Sequence, residues 1–253
     1  MGRNTNPIIL RVGNITRNWD SKWFADRRSD FRRHLREDLI IRTYLQKHLR
    51  MAAISRLEIA RQPRETLLTI HTSRPAVVIG RGGSNIEKLQ KDLAKLLWKG
   101  KPIDKAQGKP IRVNVQEVRN PDTDAVSVAT QVMDQIERRM PFRRVLKGSV
   151  GRAMQAGAKG IKVQVAGRLN GAEIARTEWL AEGNVPLQTF RSDVSYALKT
   201  AVTSYGTIGI KVWINRGDLL QTGETEEKPK EVSKRTKTRR RISLADKAKK
   251  ARR

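Results

Sequence analysis

The sequence predicts an α+β protein made of two small domains and a basic tail. Short runs that alternate apolar and polar residues, as half-buried strands do, are interspersed with longer segments whose apolar residues recur at helical spacing. The pattern changes at Asn120-Pro121, and beyond Gln221 apolar residues become rare. A chain of 253 residues has room for two ordinary domains and a tail.

The first domain is predicted to have the order helix, strand, strand, helix, loop, helix, strand. The predicted segments are a helix at 35–52, strands at 55–61 and 66–72, a short apolar helix at 76–79, a longer helix from 84 and a strand at 109–116. The strands are assigned from their period-two alternation and the helices from apolar residues three or four positions apart.

The loop between the two helices is the most informative motif of the chain. It consists of Gly80, Arg81, Gly82 and Gly83, and an amphipathic helix with a predicted apolar stripe follows it at Ile86, Leu89, Leu93 and Leu96. Glycines allow another backbone to approach closely, while exposed amides, Arg81 and the positive helix N-terminus attract phosphate. A Gly-X-X-Gly run alone also fits an ordinary glycine corner. The surrounding elements favour the loop of a type II KH domain, which clamps the backbone of about four nucleotides.

The charge of the chain indicates a polyanionic partner. Lys and Arg number 53 against 25 Asp and Glu, which gives a formal net charge of +28. Nucleic acid and an anionic membrane surface are the candidates. Nucleic acid is favoured, because no run of 18 apolar residues predicts a membrane span and the first residues lack the apolar core of a signal peptide. The absence of cysteine excludes disulfides, thiolate zinc sites and cysteine nucleophiles.

The second domain is predicted to place two helices on a small, largely antiparallel sheet. Its predicted segments are helices at 122–140 and from Phe142, strands at 160–167 and 174–180, a stretch of unassigned conformation at about 191–203 and a last strand at 208–215. The first helix carries its apolar stripe on Ala125, Val128, Ala129, Val132 and Ile136, and the second on Phe142, Val145, Leu146, Val150, Ala153 and Met154.

One surface of this domain is predicted to face phosphates. From residue 138 to residue 172 there are nine basic residues and no acidic one. Arg139, Arg143 and Lys147 follow each other at i,i+4 spacing, and Arg144 lies on the adjacent surface. Like charges at that spacing destabilise a helix, and a face that only meets solvent would intersperse Glu among them. The all-positive series therefore favours contact with a nucleic-acid backbone.

No catalytic residue, metal site or cofactor is predicted. His34, His48 and His71 have no metal-ligand spacing, and the carboxylates are scattered, so an RNA-directed nuclease or lyase has little support. The segment 167–171 is similar to a phosphate-binding loop, but no Gly-Lys-Ser or Gly-Lys-Thr follows it, so nucleotide hydrolysis is not indicated. A free KH-domain factor remains an alternative, although it accounts only for residues up to about 118.

Longer segments carry a resemblance to a known family. Near the N-terminus they include Met1-Gly2 and Arg11-Val12-Gly13. Further along the chain they include Arg74-Pro75, Phe142-Arg143-Arg144 and the segments 157–163, 167–176, 190–193 and 205–214. Through these residues the chain resembles the third protein of the bacterial-type small ribosomal subunit (the uS3 family), over nearly its whole length to Leu220.

The resemblance implies a structural role in the head of the small subunit. It implies binding to ribosomal RNA, a place in the wall of the tunnel through which messenger RNA enters, and ribosomal proteins ten and fourteen as neighbours. It assigns the unwinding of structured message to Arg143, Arg144 and Lys147. Many relatives have a further cation where this chain has Gly148. The expected location is the cytoplasmic ribosome, with an organellar ribosome left open.

The expected division of the chain is an N-terminal arm at 1–37, the KH domain at 38–118, the C-terminal domain at 119–220 and a basic tail at 221–253. The final stretch, 228–253, holds thirteen Lys or Arg and two acidic residues. It lacks an apolar face, so the sequence predicts disorder without RNA. A solubilising tail is the alternative, and the density of positive charge favours an RNA-binding extension.

Overall fold

The computed structural model of the protein describes residues 6–12, 19–62, 65–98 and 110–219. The predicted tail at 221–253 lies outside the described residues. The helices are α1 Pro7–Arg11, α2 Arg28–His48, α3 Pro75–Ile79, α4 Ser84–Trp98, α5 Ala125–Glu137 and α6 Phe142–Gln155. The strands are β1 Ser21–Lys22, β2 Ile54–Arg61, β3 Thr66–Thr72, β4 Ile111–Glu117, β5 Gly160–Gly167, β6 Arg176–Gly183, β7 Ser192–Thr203 and β8 Gly206–Asp218.

The first sheet has the strand order β1-β2-β3-β4. Strand β2 runs antiparallel to β3, whereas β4 is parallel to β3 and β1 is parallel to β2. Along β3, alternate residues are buried, as its period-two pattern requires. One apolar core joins this sheet to the helices through Ile41 and Leu45 of α2, Val78 of α3 and Leu93 of α4. The predicted order of elements in this domain is confirmed.

Helix α2 begins earlier than its sequence pattern predicts. It starts at Arg28 rather than near residue 35, and its first turns contain few apolar residues. Trp23 supports them from outside the helix, because its ring lies 5.3 Å from the ring of Phe31 and its Nε1 donates to Asp38 at 2.9 Å. A contact between segments therefore extends the helix beyond the range that periodicity indicates.

The second sheet is antiparallel throughout, with the strand order β6-β5-β8-β7. Helices α5 and α6 cover one face of it. The predicted inward residues of β5, Ile161, Val163 and Val165, are fully buried against them. The predicted stripes of both helices also lie in this core, with Met154 only partly buried. The predicted α+β architecture of two helices on an antiparallel sheet is confirmed.

The start of α5 is fixed by a capping residue. Asp124 lies before the helix, and its Oδ2 accepts from the Ser127 N–H at 3.0 Å. Its Oδ1 accepts from Arg216 at 3.1 Å, which anchors the cap to the end of β8. The helix therefore begins at Ala125 and not at the predicted residue 122, since an Asp at this position satisfies a free N–H of the first turn.

Arg11 is a structural residue in spite of its charge. Its guanidinium is buried, with 2% of the residue exposed. It donates to the carbonyl oxygens of Pro7, Pro186, Leu187, Thr189 and Ser192 at 2.8–3.3 Å. Burial lowers the pKa of Arg11, while the nearby Asp193 opposes that shift. The side chain thereby ties α1 to the connection between β6 and β7.

An ion pair joins the two sheet-and-helix halves. The Nη2 of Arg50, after α2, lies 2.6 Å from Oε2 of Glu137 at the end of α5. The other carboxylate oxygen of Glu137 accepts from the Val202 N–H at 3.3 Å. Burial, and to a lesser degree the charge of Arg50, lowers the pKa of the neighbouring Lys199. Glu137 is thus engaged by both halves and is not available to a ligand.

Candidate nucleic-acid interface

The Gly80–Gly83 loop requires glycine at its first position. Helix α3 ends there, and the Gly80 N–H donates to the carbonyl of Ala76 at 2.9 Å. Gly80 has φ +72°, and a Cβ added to it would lie 2.6 Å from Cγ of Asn85. Asn85 cannot withdraw freely, because its Nδ2 donates to the Val77 carbonyl at 3.1 Å. The close packing of α4 against the end of α3 therefore depends on Gly80.

The rest of the loop is open to a ligand. Arg81 and Gly82 are exposed, and no atom of the described residues lies within 4 Å of a Cβ built on Gly82 or Gly83. Within the described part of the chain, Arg81 has no hydrogen-bond or ion-pair partner. The loop thus presents glycine backbone and one unpaired guanidinium at the N-terminus of α4. This arrangement suits a phosphate backbone.

Two apolar side chains beside the loop were not identified from the sequence. Val77 and Ile79 of α3 remain 41% and 38% exposed, while Val78 between them is fully buried. A helix of five residues can bury only one side, so the apolar run at 76–79 already required some of these residues to face outward. They therefore leave apolar surface exposed close to Arg81.

The stripe of α4 is shifted by one residue at its C-terminal end. Leu89 and Leu93 are buried as predicted, and Ile86 is half-buried. Leu96, however, is 43% exposed, and Leu97 packs against the core instead. At 3.6 residues per turn, a position four residues after Leu93 lies closer to the core than one three residues after it in this helix.

The exposed side of α6 carries four cations and no acidic residue. Arg143, Arg144, Lys147 and Arg152 are exposed, while Val145, Leu146, Ser149, Val150 and Ala153 are buried on the opposite side. We refer to Arg143, Arg144 and Lys147 as the α6 cationic face. None of the three has a carboxylate partner among the described residues. Their charges therefore remain available to a ligand.

Arg139 does not belong to the helical series in which the sequence placed it. Helix α5 ends at Glu137 and α6 begins at Phe142, so Arg139 lies in the turn between them. Its φ is +61°, in the left-handed region. The i,i+4 relation therefore holds for Arg143 and Lys147 alone. Arg139 is nevertheless exposed, and it adds positive charge just before α6.

The ring of Phe142 lies close to two cations at the start of α6. The guanidinium of Arg143 lies 5.8 Å from the ring centroid of Phe142, and that of Arg176 lies 5.7 Å from the same ring. Cations over a ring are attracted by its π electrons. No side chain of the described residues caps α6, so the N–H groups of its first turn add to the positive potential.

The described residues contain no group of three or more His, Cys, Asp or Glu that could hold a metal ion. His48 is stacked on Tyr44, with ring centroids 3.9 Å apart, and His71 lies 3.4 Å from Glu58. In the same part of the chain, no helix is long and apolar enough to cross a membrane.

Two family models match the chain. Residues 40–123 match the KH domain, and residues 132–214 match the C-terminal domain of ribosomal protein S3. The first match contains the Gly80–Gly83 loop, and the second contains the α6 cationic face.

Similar proteins cover nearly the whole chain. A protein named small ribosomal subunit protein uS3 from Halorhodospira halophila is 45% identical over 93% of this chain and 97% of its own length. The proteins of the same name from Leuconostoc citreum and Desulforudis audaxviator are 48% and 49% identical, each over 87% of this chain. These matches cover 97% and 95% of the two relatives.

Proposed function

Because the chain belongs to the uS3 family of small ribosomal subunit proteins, we propose that it forms part of the subunit head and lines the tunnel through which messenger RNA enters. Its membership makes it a structural RNA-binding protein of the ribosome and not an enzyme. In the proposed role, it binds ribosomal RNA, positions messenger RNA and assists in unwinding structured message.

The observation that carries this proposal is the α6 cationic face. Arg143, Arg144 and Lys147 are exposed and have no acidic partner among the described residues, while the other side of the same helix is packed on a sheet. A rigid support fixes the spacing of the three charges, so that they can contact the phosphates of one strand together. These contacts are independent of base sequence, as a surface for many different messages requires.

The Gly80–Gly83 loop supplies a second RNA contact in this proposal. We propose that Gly80, Arg81, Gly82 and Gly83 bind ribosomal RNA, because an open glycine backbone beside a guanidinium suits a segment of RNA backbone that is held in one position. Arg139 contacts messenger RNA in this proposal, together with the α6 cationic face. The proposed neighbours in the head are ribosomal proteins ten and fourteen, and the proposed domain limits remain 1–37, 38–118, 119–220 and 221–253.

The test of message handling is a triple Ala variant of Arg143, Arg144 and Lys147. Ribosomes that carry it should assemble, because the three side chains are exposed and alanine favours helices. They should translate messages with a hairpin downstream of the start more slowly than unstructured messages. Equal slowing of both kinds of message, or no slowing, would contradict the unwinding role.

A matched control removes the same charge elsewhere. Replacing Arg32, Arg36 and Lys47 with Ala also takes three exposed cations from a helix, here α2. This variant should not discriminate between structured and unstructured messages. Sedimentation distinguishes the ribosomal role from that of a free KH factor, since a ribosomal constituent stays with the small subunit after a high-salt wash.

A further inference from the structure

A cavity of about 350 Å³ lies where three turns of the C-terminal domain meet. The α5–α6 turn contributes Arg139, the connection after β5 contributes Arg168, and the β7–β8 turn contributes Tyr205. We call this the turn cavity. Its volume is in the range of about 300–1,000 Å³ that is usual for small-ligand sites. One of its walls is the glycine-containing segment 167–171, for which the proposed function gives no role.

The turn cavity has an apolar floor and a polar rim. Its buried lining residues are Ile136, Phe142, Leu169 and Ile208. Asn170 and Ser204 at the rim are exposed. A few polar groups around an apolar floor are typical of sites that take up a planar ring and orient its polar edge.

The ring of Tyr205 is exposed and yet held in place. The residue is 57% exposed, and a Cβ built on Gly171 would lie 3.0 Å from its Cε2, so the glycine allows the neighbouring turn to pack on the ring. The Arg168 guanidinium is 6.0 Å from the ring centroid, and its Nε donates to the Ala172 carbonyl at 2.8 Å. An immobilised, accessible aromatic ring is a stacking surface for a nucleic-acid base.

The charge around the turn cavity favours an anionic ligand. Arg139 and Arg168 both line it, and Arg139 has no partner among the described residues. Glu137 is the only carboxylate in the described lining, and Arg50 and the Val202 N–H already engage it. The cations are therefore not neutralised from within the site.

We propose that the turn cavity binds one unpaired nucleotide of an RNA strand that crosses the α6 cationic face. The base lies on the apolar floor beside Tyr205, and its phosphate contacts Arg139 and Arg168. Phe142 lines the turn cavity and is followed directly by Arg143, so one strand can contact both surfaces. This inference rests on the proposed function, because it takes its strand from the α6 cationic face.

Photocrosslinking with the full-length protein tests the proposal. The probe is a 12-nucleotide single-stranded oligouridylate with one 4-thiouridine, placed at each position in turn. Irradiation should crosslink a subset of positions to Tyr205 or Phe142, as mapped by mass spectrometry. Crosslinks confined to other parts of the protein at every position would overturn the proposal.

Two variants give the energetic test. Tyr205→Ala should weaken binding of the oligouridylate by about fivefold or more, which is the lower end for loss of one stacked base. Arg139→Gly removes the guanidinium at a position where φ is +61°, which glycine adopts without strain, so the fold is retained. It should weaken binding more than the matched charge change Arg138→Ala, whose side chain is exposed and does not line the turn cavity.

The triple Ala variant of the α6 cationic face separates this inference from the function on which it rests. If the triple variant binds the oligouridylate as the native protein does, the proposed function fails. If the triple variant loses affinity, but Tyr205→Ala binds normally and Arg139→Gly matches Arg138→Ala, the proposed function stands and the turn cavity is not a nucleotide site.

Discussion

At the scale of single residues, burial and pairing decide which cations can serve RNA. Arg11 and Arg81 have the same side chain, but five carbonyl oxygens surround the first and nothing in the described structure pairs with the second. Arg61 is likewise committed, at 2.6 Å from both Glu37 and Asp38. A net positive charge therefore indicates the kind of partner without indicating which cations contact it.

The first residue-scale prediction concerns Arg11. Replacing it with Leu should lower the free energy of unfolding by about 3 kcal/mol, because its two buried acceptors, the carbonyls of Pro7 and Ser192, would lose their donor at roughly 1–3 kcal/mol each. Urea denaturation followed by circular dichroism measures the change. As a control, Arg33→Leu at an exposed position of α2 should shift the unfolding free energy by less than about 0.5 kcal/mol. Equal effects of the two substitutions would contradict a structural role for Arg11.

At the scale of secondary-structure elements, periodicity predicted the parts that local sequence determines. The strand pattern at 66–72 matches β3, and the pattern at 160–167 matches β5, because each strand has one buried face. The start of α2 was missed, since Trp23 stabilises it from another segment. The two-residue strand β1 was also missed, because it is too short to show a period and exists through pairing with β2.

In the candidate site too, features set by local sequence could be predicted, and features set by contacts between distant segments could not. The Gly80–Gly83 loop and the exposed α6 cationic face could be identified from sequence, since glycine spacing and helical spacing are local properties. The turn cavity could not, because its walls come from three turns that only the completed sheet brings together. The left-handed conformation of Arg139 was missed as well, since nothing in the residue itself favours it.

The element-scale prediction concerns Gly148 in the middle of α6. In the described part of the chain, no atom lies within 4 Å of a Cβ built there, so Gly148→Ala should raise the free energy of unfolding by about 1 kcal/mol through helix propensity. Gly148→Lys should stabilise slightly less, because Arg144 and Arg152 lie four residues away on either side and repel it. It should bind single-stranded RNA more tightly than Gly148→Ala does. Equal RNA affinity of the two variants would show that phosphates do not reach this position.

At the scale of the whole molecule, two apolar cores support the two separate surfaces that we propose contact RNA. The first core carries α3, α4 and the Gly80–Gly83 loop, and the second carries α6 and the turn cavity. In each half, the unpaired cations lie on an exposed loop or helix face. Other cations form ion pairs within the protein, as Arg50 does with Glu137 and Arg216 with Asp124. The net charge is +28, but the unpaired cations that could contact RNA are concentrated on particular parts of the surface.

This arrangement predicts how the salt dependence of RNA binding divides between the two surfaces. The logarithm of affinity falls linearly with the logarithm of salt concentration, by about 0.7 per phosphate contact for single strands. Arg81→Ala should reduce that slope by about one contact, and the triple Ala variant of the α6 cationic face by about three. The combined variant should show the sum, because the two sets belong to elements packed in different apolar cores and share no partner among the described residues.

Titration of a fluorescent single-stranded RNA, long enough to reach both surfaces, measures these slopes between 50 and 200 mM salt. Arg33→Ala serves as the control, since Arg33 is exposed but already paired with Asp30 at 3.0 Å, and it should leave the slope unchanged. A control variant that lowered the slope as much as Arg81→Ala would mean that RNA responds to total charge. A slope that falls for Arg81→Ala and for the triple Ala variant, but not for Arg33→Ala, would mean that the fold selects which cations bind phosphate, because only unpaired charges on a rigid support release counterions at fixed positions.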